Sequence, residues 1–244
     1  MKTPKRHRKY GAVVLLDALG ASKFSDEKIK EFLSARSEII SIVRDLAKQI
    51  RPVRRYLLPK VFTFGDTIVA TMELRSKRSI TDDITVVKLL MRRYLFHALE
   101  SGILFRGAFS IGSYIEDART NTVMGEAVSD AASWYDKAAW MGLSSTPRTN
   151  TVLEFHYADR LDDSRFIHKY DVPLKSGKTF GLYAISWPGL FLDTGMLELE
   201  KKTDGRRWFL EILHKLSVPE GTETIFENTK RYFSFIESAL LEKL

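Results

Sequence analysis

The chain has 244 residues, of which 44% are hydrophobic, so it can bury a core as one large domain or as one domain with an extension. It contains no cysteine, which excludes disulfides, thiolate metal sites and cysteine nucleophiles and fits a reducing cytoplasm. The formal net charge of +7 is compatible with binding to nucleic acid, to a membrane surface or to a small polyanion such as a triphosphate. Because neither an RNA-binding aromatic signature nor zinc-finger spacing accompanies the charge, we expect no nucleic-acid partner.

No apolar run approaches the roughly 18 residues that a membrane span requires, so we expect a soluble, cytoplasmic protein with no membrane partner. The first ten residues are basic and resemble the start of a signal peptide. The apolar run after them is short, carries Asp17 and lacks a suitably placed cleavage site. It is therefore interpreted as the first strand.

The first predicted elements are a strand, a helix and a hairpin. Residues 10–19 form a continuous Val- and Leu-rich run, which is typical of a strand buried on both faces. Ser25 opens a long amphipathic helix that ends before Pro52. Two β-rich runs follow, and the Gly65-Asp66 pair between them predicts a hairpin with a tight turn.

A second helix and a further strand complete the first half of the chain. The helix is predicted over residues 83–101 and the strand over residues 103–115. Gly107 and Gly112 lie inside this strand, where glycine marks a bulge or a close backbone approach. The order β-α-β-β-α-β is the ferredoxin-like arrangement.

The second half of the chain is predicted to extend the same domain. A third helix is expected over residues 125–142, with its aromatic residues in the core or at a dimer contact. Three more strands are expected in the segments TVLEFHYA, RFIHKYDVPL and TFGLYAISW, with a hairpin turn at 175–178. Two amphipathic helices near 195–217 and 222–243 complete an α+β fold, a ferredoxin-like core at about 10–142 with an extension at about 148–244.

Asp17 is the first candidate for chemistry. It stands at the end of a buried strand, before a glycine-containing turn and a helix. Free backbone N–H groups at such a place bind phosphate readily. An acidic side chain beside them repels phosphate unless a cation lies between the two, so the pattern indicates a metal-bridged triphosphate.

Asp66 is the second candidate, at the tip of the predicted hairpin. In this topology strands 1 and 3 are neighbours at the centre of the sheet, so Asp17 and Asp66 are expected at one edge. Two carboxylates repel each other unless cations neutralise them. Two metal ions about 3.5–4 Å apart clamp the attacking and leaving oxygens of an in-line displacement. Each aspartate alone is more typical of a helix cap or a turn, and only the pair in this topology favours a catalytic site.

Four short segments resemble motifs of class III nucleotide cyclases, in the same order. Asp17-Ala-Leu-Gly-Ala-Ser22 resembles their Asp-Ile-x-Gly-Phe-Thr segment, and Phe62-Thr-Phe-Gly-Asp66 resembles their Lys-x-x-Gly-Asp hairpin. Arg106-Gly-Ala-Phe-Ser-Ile-Gly112 is similar to their Arg-x-Gly-Ile-x-x-Gly strand, with the first glycine displaced by one position. Thr122-Val-Met-Gly125 falls where they have Asp-x-x-Gly. The resemblance spans about residues 10–142.

The resemblance implies a role for each matching position. Asp17 and Asp66 would hold two divalent ions, Mn²⁺ or Mg²⁺, with the Ala18 carbonyl completing the second site. The amides of Gly20, Ala21 and Ser22 would hold the β- and γ-phosphates of a nucleoside triphosphate. Such cyclases act as head-to-tail homodimers with shared active sites.

Departures from the motifs favour a pyrimidine substrate. The positions that read a purine base are Phe62 and Thr122, and those of the transition-state Asn and Arg are Ser129 and Ser133. The pattern is closest to the pyrimidine cyclases of bacterial anti-phage (Pycsar-type) defence, which make cyclic UMP or cyclic CMP for a downstream receptor. Thr122 and Ser129 would then contact substrate beside Phe62, with UTP favoured over CTP.

Another cation must replace the missing arginine, because charge develops on the transferring phosphate. Lys137, one turn beyond Ser133, and Arg106 are the candidates, although each position is more typical of a structural or surface residue. Three alternatives stay open: a purine cyclase with an unusual base pocket, a catalytically silent cyclase fold that binds nucleotide, and a ferredoxin-like nucleic-acid binder. The last predicts exposed aromatic residues on the sheet, whereas the strands are apolar enough to be covered.

Overall fold

The computed structural model describes residues 7–49, 59–74, 80–117, 119–161, 166–192, 205–216 and 221–242. The strands are β1 (Lys9–Ala18), β2 (Lys60–Phe64), β3 (Thr67–Glu73), β4 (Phe105–Asp117), β5 (Thr122–Met124), β6 (Gly142–Ser145), β7 (Ile167–Pro173) and β8 (Thr179–Ile185). The α-helices are α1 (Asp26–Gln49), α2 (Ile80–Glu100), α3 (Glu126–Ala132), α4 (Pro147–Leu161), α5 (Gly189–Leu192), α6 (Gly205–Lys215) and α7 (Glu223–Leu241).

One mixed sheet runs through the described part of the chain. Its strand order is β2-β3-β1-β4-β6-β8-β7, and β5 pairs with β4 outside this path. The first four strands are antiparallel neighbours, with β1 between β3 and β4. Together with α1 and α2 they give the β-α-β-β-α-β order, which confirms the predicted ferredoxin-like core and the α+β class. The pairing of β4 with β6 is parallel and carries the sheet into the C-terminal half.

The two faces of the central strands are buried in different cores. Val14 and Leu16 of β1 lie in the large core that includes buried residues of α1 and α2. Val13 and Leu15 point the other way, into a smaller core with Ala127 of α3. Both faces of β1 are thus covered, as its continuous apolar run predicts.

The segment TVLEFHYA is helical, and the prediction of a strand there was wrong. It lies within α4, whose first residue is Pro147. The preceding Thr146 caps this helix, because its hydroxyl oxygen accepts a hydrogen bond from the Thr149 amide at 3.1 Å. Proline at the first helical position is pre-organised for a helix, and this signal outweighs the short apolar–polar alternation that suggested a strand.

The third helix is shorter than predicted. It ends at Ala132, where the Ser133 hydroxyl donates to the Asp130 carbonyl oxygen at 2.7 Å. The residues after it turn into the short strand β6, whose sequence GLSS has little β propensity and gave no strand signal. Trp140 is fully buried, so its predicted place in the core is confirmed, but it lies outside the helix.

The remaining C-terminal elements follow the predicted order. Strands β7 and β8 form an antiparallel hairpin, and the turn at 175–178 joins them as predicted. Helices α6 and α7 correspond to the two amphipathic helices, although the predicted start of the first, near 195, lies outside the described residues. None of the helices in the described ranges has the length and apolar character required to cross a bilayer.

Gly107 confirms the predicted close backbone approach. A Cβ atom at this position would lie 2.1 Å from the Leu15 carbonyl oxygen of the neighbouring strand. Gly107→Ala is therefore expected to lower the free energy of unfolding by about 3 kcal/mol, because the strands must separate to admit a methyl group. Thermal unfolding should record a fall in Tm of about 6–12 °C.

Gly181→Ala is the matched control for this prediction, since a Cβ atom there would meet its nearest neighbour, Asp171 Oδ1, at an ordinary 3.5 Å. An equal fall in Tm for both variants would contradict the assignment of the effect to strand spacing.

Candidate functional site

Asp17 lies in one row across the sheet with residues of both neighbouring strands. It is opposite Thr67 of β3 and opposite Arg106 of β4. Phe64 of β2 is in turn opposite Thr67. Residues directly opposite each other in an antiparallel ladder share a face, so all four side chains stand on the face that α3 covers.

Asp66 is brought to the same end of the sheet by the β2–β3 turn. Gly65 has φ 58°, whereas Asp66 does not have a positive φ, which fits a two-residue hairpin turn with glycine first. The Asp66 carbonyl oxygen accepts a hydrogen bond from the Ala18 amide at 3.3 Å. Within the described ranges, the Asp66 carboxylate has no hydrogen-bond or ion-pair partner. The predicted approach of the two aspartates is therefore present in the fold.

The electrostatics of Asp17 reflect this crowding. Burial raises the pKa of Asp17 above its ordinary value, and the negative charge of Asp66 adds to the rise. The hydrogen bond from Arg106 and its positive charge oppose the rise, as does the charge of Lys175. The surroundings of Asp17 therefore disfavour its negative charge, chiefly through burial, and a bound cation would offset this effect.

Arg106 holds the Asp17 carboxylate. Its Nη2 donates to Asp17 Oδ2 at 3.1 Å, and the two side chains are only 13% and 17% exposed. The Arg106 Nε atom is buried without a hydrogen-bond partner among the described residues. Arg106 therefore orients Asp17 and keeps one buried donor for another acceptor.

The turn after β1 has the geometry expected of a phosphate-binding segment. Gly20 has φ 78° and precedes one 3₁₀ turn, Ala21–Lys23. The amides of Lys23 and Phe24 donate back to the carbonyl oxygens of Gly20 and Ala21. The first amides of a helical turn have no partner within that turn, so those of Ala21 and Ser22 suit an anionic ligand.

The donor set fits a hard divalent cation. In the described ranges, there is no group of three or more His, Cys, Asp or Glu side chains that could hold a metal ion. Mg²⁺, however, is usually bound by one or two carboxylates together with substrate phosphates, not by a full protein cage. Asp17 and Asp66, with the adjacent Ala18 carbonyl, are oxygen donors of this kind, and Asp66 is without a protein partner in the same ranges. These three residues would hold the metal ions.

The side chain at the position that reads the base in the motif is buried in this structure. Phe62 is 2% exposed and lies in the smaller core with Ala127 and Ala131 of α3. Phe64, two residues on and on the same face, is 47% exposed. The role of Phe62 stays a prediction, and Phe64 is a surface aromatic that the motif comparison did not single out.

The β4–β5 turn approaches β2 from the side. Asn121 Nδ2 donates to the Thr63 carbonyl oxygen at 3.4 Å. The Thr122 hydroxyl, which the sequence assigns to the base, is half-buried and donates to the Thr120 carbonyl oxygen at 3.0 Å. Thr122 therefore lies near β2, and its hydroxyl is engaged within its own turn.

Helix α3 is anchored by Asp130, next to the predicted Ser129. Asp130 Oδ2 accepts hydrogen bonds from the hydroxyls of Ser110 at 2.7 Å and Thr146 at 2.6 Å. Ser129 is exposed on the helix, and Ser133 is used in ending it. The helix therefore has a fixed place on the face that carries Asp17, while the substrate contact of Ser129 stays a prediction.

The segment after α3 brings a tyrosine to the aspartates. Burial raises the pKa of Tyr135, and the negative charges of Asp17, Asp136 and Asp66 raise it further. Lys137, the predicted cation, places its Nζ 4.5 Å from the centroid of the Trp134 ring. Tyr135 was expected only as a core or dimer contact, and its approach to the carboxylates depends on a turn that the sequence did not reveal.

Comparisons with known proteins give matches at the level of structure only. No protein-family model matches the sequence, and no curated protein matches it. The chain is similar to the adenylyl cyclase CyaB from P. aeruginosa, with 12% identity, a TM-score of 0.45, and coverage of 74% of this chain and 95% of that one.

Two further solved structures resemble the chain. One is the catalytic core of a rhodopsin-guanylyl cyclase with converted specificity in complex with ATPalphaS, with 11% identity, a TM-score of 0.47, and coverage of 75% and 98%. The other is an adenylate/guanylate cyclase/hydrolase from Silicibacter pomeroyi, with 12% identity, a TM-score of 0.37, and coverage of 74% and 98%. At these scores the matches carry no conclusion about activity, which depends on the chain's own site.

Proposed function

We propose that this protein is a metal-dependent nucleotide cyclase that converts a pyrimidine nucleoside triphosphate, UTP in preference to CTP, to the 3′,5′-cyclic nucleotide and pyrophosphate. One observation carries the proposal. The β1–β3 pairing and the β2–β3 turn bring Asp17 and Asp66 together, with Arg106 bonded to one of them. A partly buried pair of carboxylates is costly unless cations and a polyanionic ligand complete the site.

The reaction is an in-line displacement within one substrate molecule. A bond forms between the 3′-oxygen and the α-phosphorus, and the bond from the α-phosphorus to the bridging oxygen breaks. Pyrophosphate carries the electron pair away, and the hydroxyl proton passes to solvent. When bound, Mn²⁺ or Mg²⁺ ions held by Asp17 and Asp66 would neutralise the charge of the reacting phosphate groups.

The chain's own groups bind and orient the substrate. Asp17 and Asp66 hold the cations, and Arg106 keeps the Asp17 carboxylate in place through its 3.1 Å hydrogen bond. The amides of Gly20, Ala21 and Ser22 bind the β- and γ-phosphates, since the turn after β1 presents them. Helix α3, anchored by Asp130, closes one side of the site.

The preference for a pyrimidine follows from the residues beside the carboxylates. Phe62 and Thr122 stand where a purine cyclase has Lys and Asp, and the exposed ring of Phe64 lies on the same face of the sheet as Phe62. Phe64 is two strands from Asp17, about 10 Å at the usual strand spacing, a distance that one nucleoside triphosphate can span. The resemblance to Pycsar-type enzymes extends the proposal to a homodimer with shared sites whose product is a second messenger for a receptor in anti-phage defence.

Direct assay of all four ribonucleoside triphosphates tests the proposal. Purified protein is incubated with each substrate and Mn²⁺ or Mg²⁺, and the products are separated by chromatography and identified by mass. Cyclic UMP or cyclic CMP is the expected product. Cyclic AMP or cyclic GMP would contradict the reading of the base site, and the absence of product with every substrate and metal would contradict the cyclase activity.

A second candidate is a cyclase fold that binds nucleotide without turnover. It is favoured by Ser133, whose hydroxyl is bonded to its own helix where the motif has a catalytic arginine. This candidate predicts saturable, metal-dependent nucleotide binding together with no product in the same assay. Isothermal titration with each triphosphate separates it from a protein that does not bind nucleotide at all.

Phe64→Ala is expected to raise the KM for the preferred triphosphate about tenfold and to change kcat little, because base stacking on an aromatic ring contributes about 1–3 kcal/mol. The free energy of unfolding should hardly change, since the ring is 47% exposed. Steady-state kinetics give both constants. Phe155→Ala, at a ring that is 83% exposed on α4, is the control, and an equal rise in its KM would contradict base stacking at Phe64.

A further inference from the structure

Helix α1 makes a direct contact with the turn that carries Asp66. Arg36 Nη1 donates a hydrogen bond to the Gly65 carbonyl oxygen at 2.8 Å, across 29 positions of the sequence. This oxygen belongs to the peptide group between Gly65 and Asp66, so the contact acts on the backbone immediately before the aspartate. Sequence analysis assigned no role to Arg36.

The Arg36 guanidinium is held against a buried aromatic ring. Its Cζ lies 5.4 Å from the centroid of the Phe32 ring, one turn earlier on α1. Phe32 is itself packed between two rings, with centroid distances of 5.9 Å to Phe24 and 6.4 Å to the fully buried Phe105. A guanidinium over an aromatic face is attracted to the ring. The contact therefore restricts a long side chain to the conformation that reaches the turn.

The peptide group that Arg36 binds distinguishes two types of hairpin turn. A two-residue loop takes type I′, with positive φ at both central residues, or type II′, with positive φ at the first alone. Gly65 has φ 58°, whereas Asp66 does not have a positive φ, so the turn is of the second type. Aspartate tolerates positive φ better than most residues. The first type is therefore also open to this sequence.

A change of turn type would move the Asp66 side chain. It rotates the peptide group between the two central residues by about 150° and takes the second residue to a positive φ. The Gly65 carbonyl oxygen would then turn away from Arg36, and the Asp66 side chain would leave the backbone in another direction. The Ala18 amide bonds to the Asp66 carbonyl oxygen, which belongs to the next peptide group. Only the hydrogen bond from Arg36 acts directly on the group that would rotate.

We propose that Arg36 is a positioning residue for Asp66, which holds the turn in one type and so fixes the direction in which the carboxylate is offered to a cation. This inference rests on the proposed cyclase function, in which Asp66 is a metal ligand. Arg36 contacts neither substrate nor metal in this role and acts through the backbone alone.

The sign of the effect on metal affinity separates positioning from charge. Arg36 carries a positive charge close to the carboxylate pair, and a positive charge repels a divalent cation. If charge alone mattered, removal of the guanidinium would tighten the binding of Mn²⁺. A positioning role predicts the opposite, because a turn that samples two types presents the carboxylate correctly for only part of the time.

The test compares Arg36→Met and Arg36→Lys with Arg44→Met, at an exposed arginine two turns further along the same helix. Electron paramagnetic resonance measures Mn²⁺ binding to the free protein. Hydrogen exchange of the Ala18 amide reports on the turn in the metal-free protein, since its acceptor is the Asp66 carbonyl oxygen. Product formation gives kcat/KM, and thermal unfolding confirms that each variant is folded.

Arg36→Met is expected to bind Mn²⁺ about tenfold more weakly, which is the lower end of the loss that follows removal of a group supporting a metal ligand. Its kcat/KM should fall by a similar factor, and the Ala18 amide should exchange faster without metal. Arg36→Lys should recover part of the Mn²⁺ affinity, because an ammonium can donate to the same carbonyl oxygen. Arg44→Met should match the unaltered protein.

Other outcomes overturn the inference, and each differs from a failure of the proposed function. An unchanged or tighter Mn²⁺ affinity in folded Arg36→Met, or an equal loss in Arg44→Met, would exclude a positioning role. If the unaltered protein binds Mn²⁺ but forms no product, the cyclase activity fails while the Mn²⁺ comparison still decides the role of Arg36. If the unaltered protein binds no Mn²⁺, both proposals are wrong.

Discussion

Asp66→Asn is expected to abolish measurable formation of cyclic nucleotide while the fold stays intact. Asparagine has nearly the same shape and is accepted in tight turns, so the Gly65 turn and the Ala18 hydrogen bond to the backbone of residue 66 should persist. What is lost is one of two charges that hold the cations. Metal ions contribute several kcal/mol of transition-state stabilisation, so a fall of about 10³-fold in kcat/KM is expected.

The Asp66 prediction is checked by product assay and by Mn²⁺ titration of the same preparations. Mn²⁺ binding should weaken in step with activity, while the free energy of unfolding should stay within about 0.5 kcal/mol. Asp136→Asn is the matched control, because it removes a negative charge outside the Asp17–Asp66 pair, one that makes a weak 3.8 Å contact with Lys175. Full activity in Asp66→Asn would refute its role as a metal ligand, and an equal loss in Asp136→Asn would point to a general effect of charge.

The ferredoxin-like core could be predicted from local signals because each of its elements carries one. The continuous apolar run of β1, the capping Ser25 before α1 and the Gly65-Asp66 turn are all decided by residues next to each other in the sequence. Strand β6 has no such signal, because GLSS becomes a strand only by pairing in parallel with β4. Tertiary contact overrides propensity there, and sequence patterns do not report it.

The site residues likewise differ in whether their positions could be predicted from the sequence. Asp17 and Asp66 could be placed together because topology alone brings a strand end and a hairpin tip to one edge of a sheet. The exposures of Phe62 and Phe64 could not be predicted, since both residues share a face and only the packing of α3 covers one of them. The position of the β7–β8 turn could not be predicted either, because it depends on backbone hydrogen bonds to the segment after α3.

Asp17→Asn is expected to stabilise the metal-free protein and to inactivate it. Burial, aided by Asp66, raises the pKa of Asp17 in the folded state above the ordinary value of 3.8, in spite of Arg106. Between these two pKa values the folded state binds more protons than the unfolded state, so stability falls as the pH rises through this interval and stays lower above it. Asparagine resembles the protonated carboxyl and avoids this loss. Activity should fall about 10³-fold, as for Asp66→Asn.

Thermal unfolding with a chelator, at pH 7 and again below pH 3.8, checks the sign. Asp17→Asn should unfold at a higher temperature than the unaltered protein at pH 7, and the difference should shrink at the lower pH, where both side chains are neutral. Asp171→Asn, on the exposed side of β7, should show no difference at either pH.

Adding Mn²⁺ should reverse the order of stability at pH 7. At about 100 times its Kd the ion stabilises a protein that binds it by about 2.7 kcal/mol, or about 5–10 °C in Tm for a chain of this size. The unaltered protein should gain this increment and Asp17→Asn should not, because the ion binds the carboxylate whose burial is otherwise unfavourable. A variant that is less stable without metal, or equally stabilised by Mn²⁺, would mean that Asp17 serves the fold through Arg106 and does not hold a cation. The expected reversal would instead show that Asp17 lowers the stability of the metal-free protein and raises that of the metal-bound protein, as a metal ligand should.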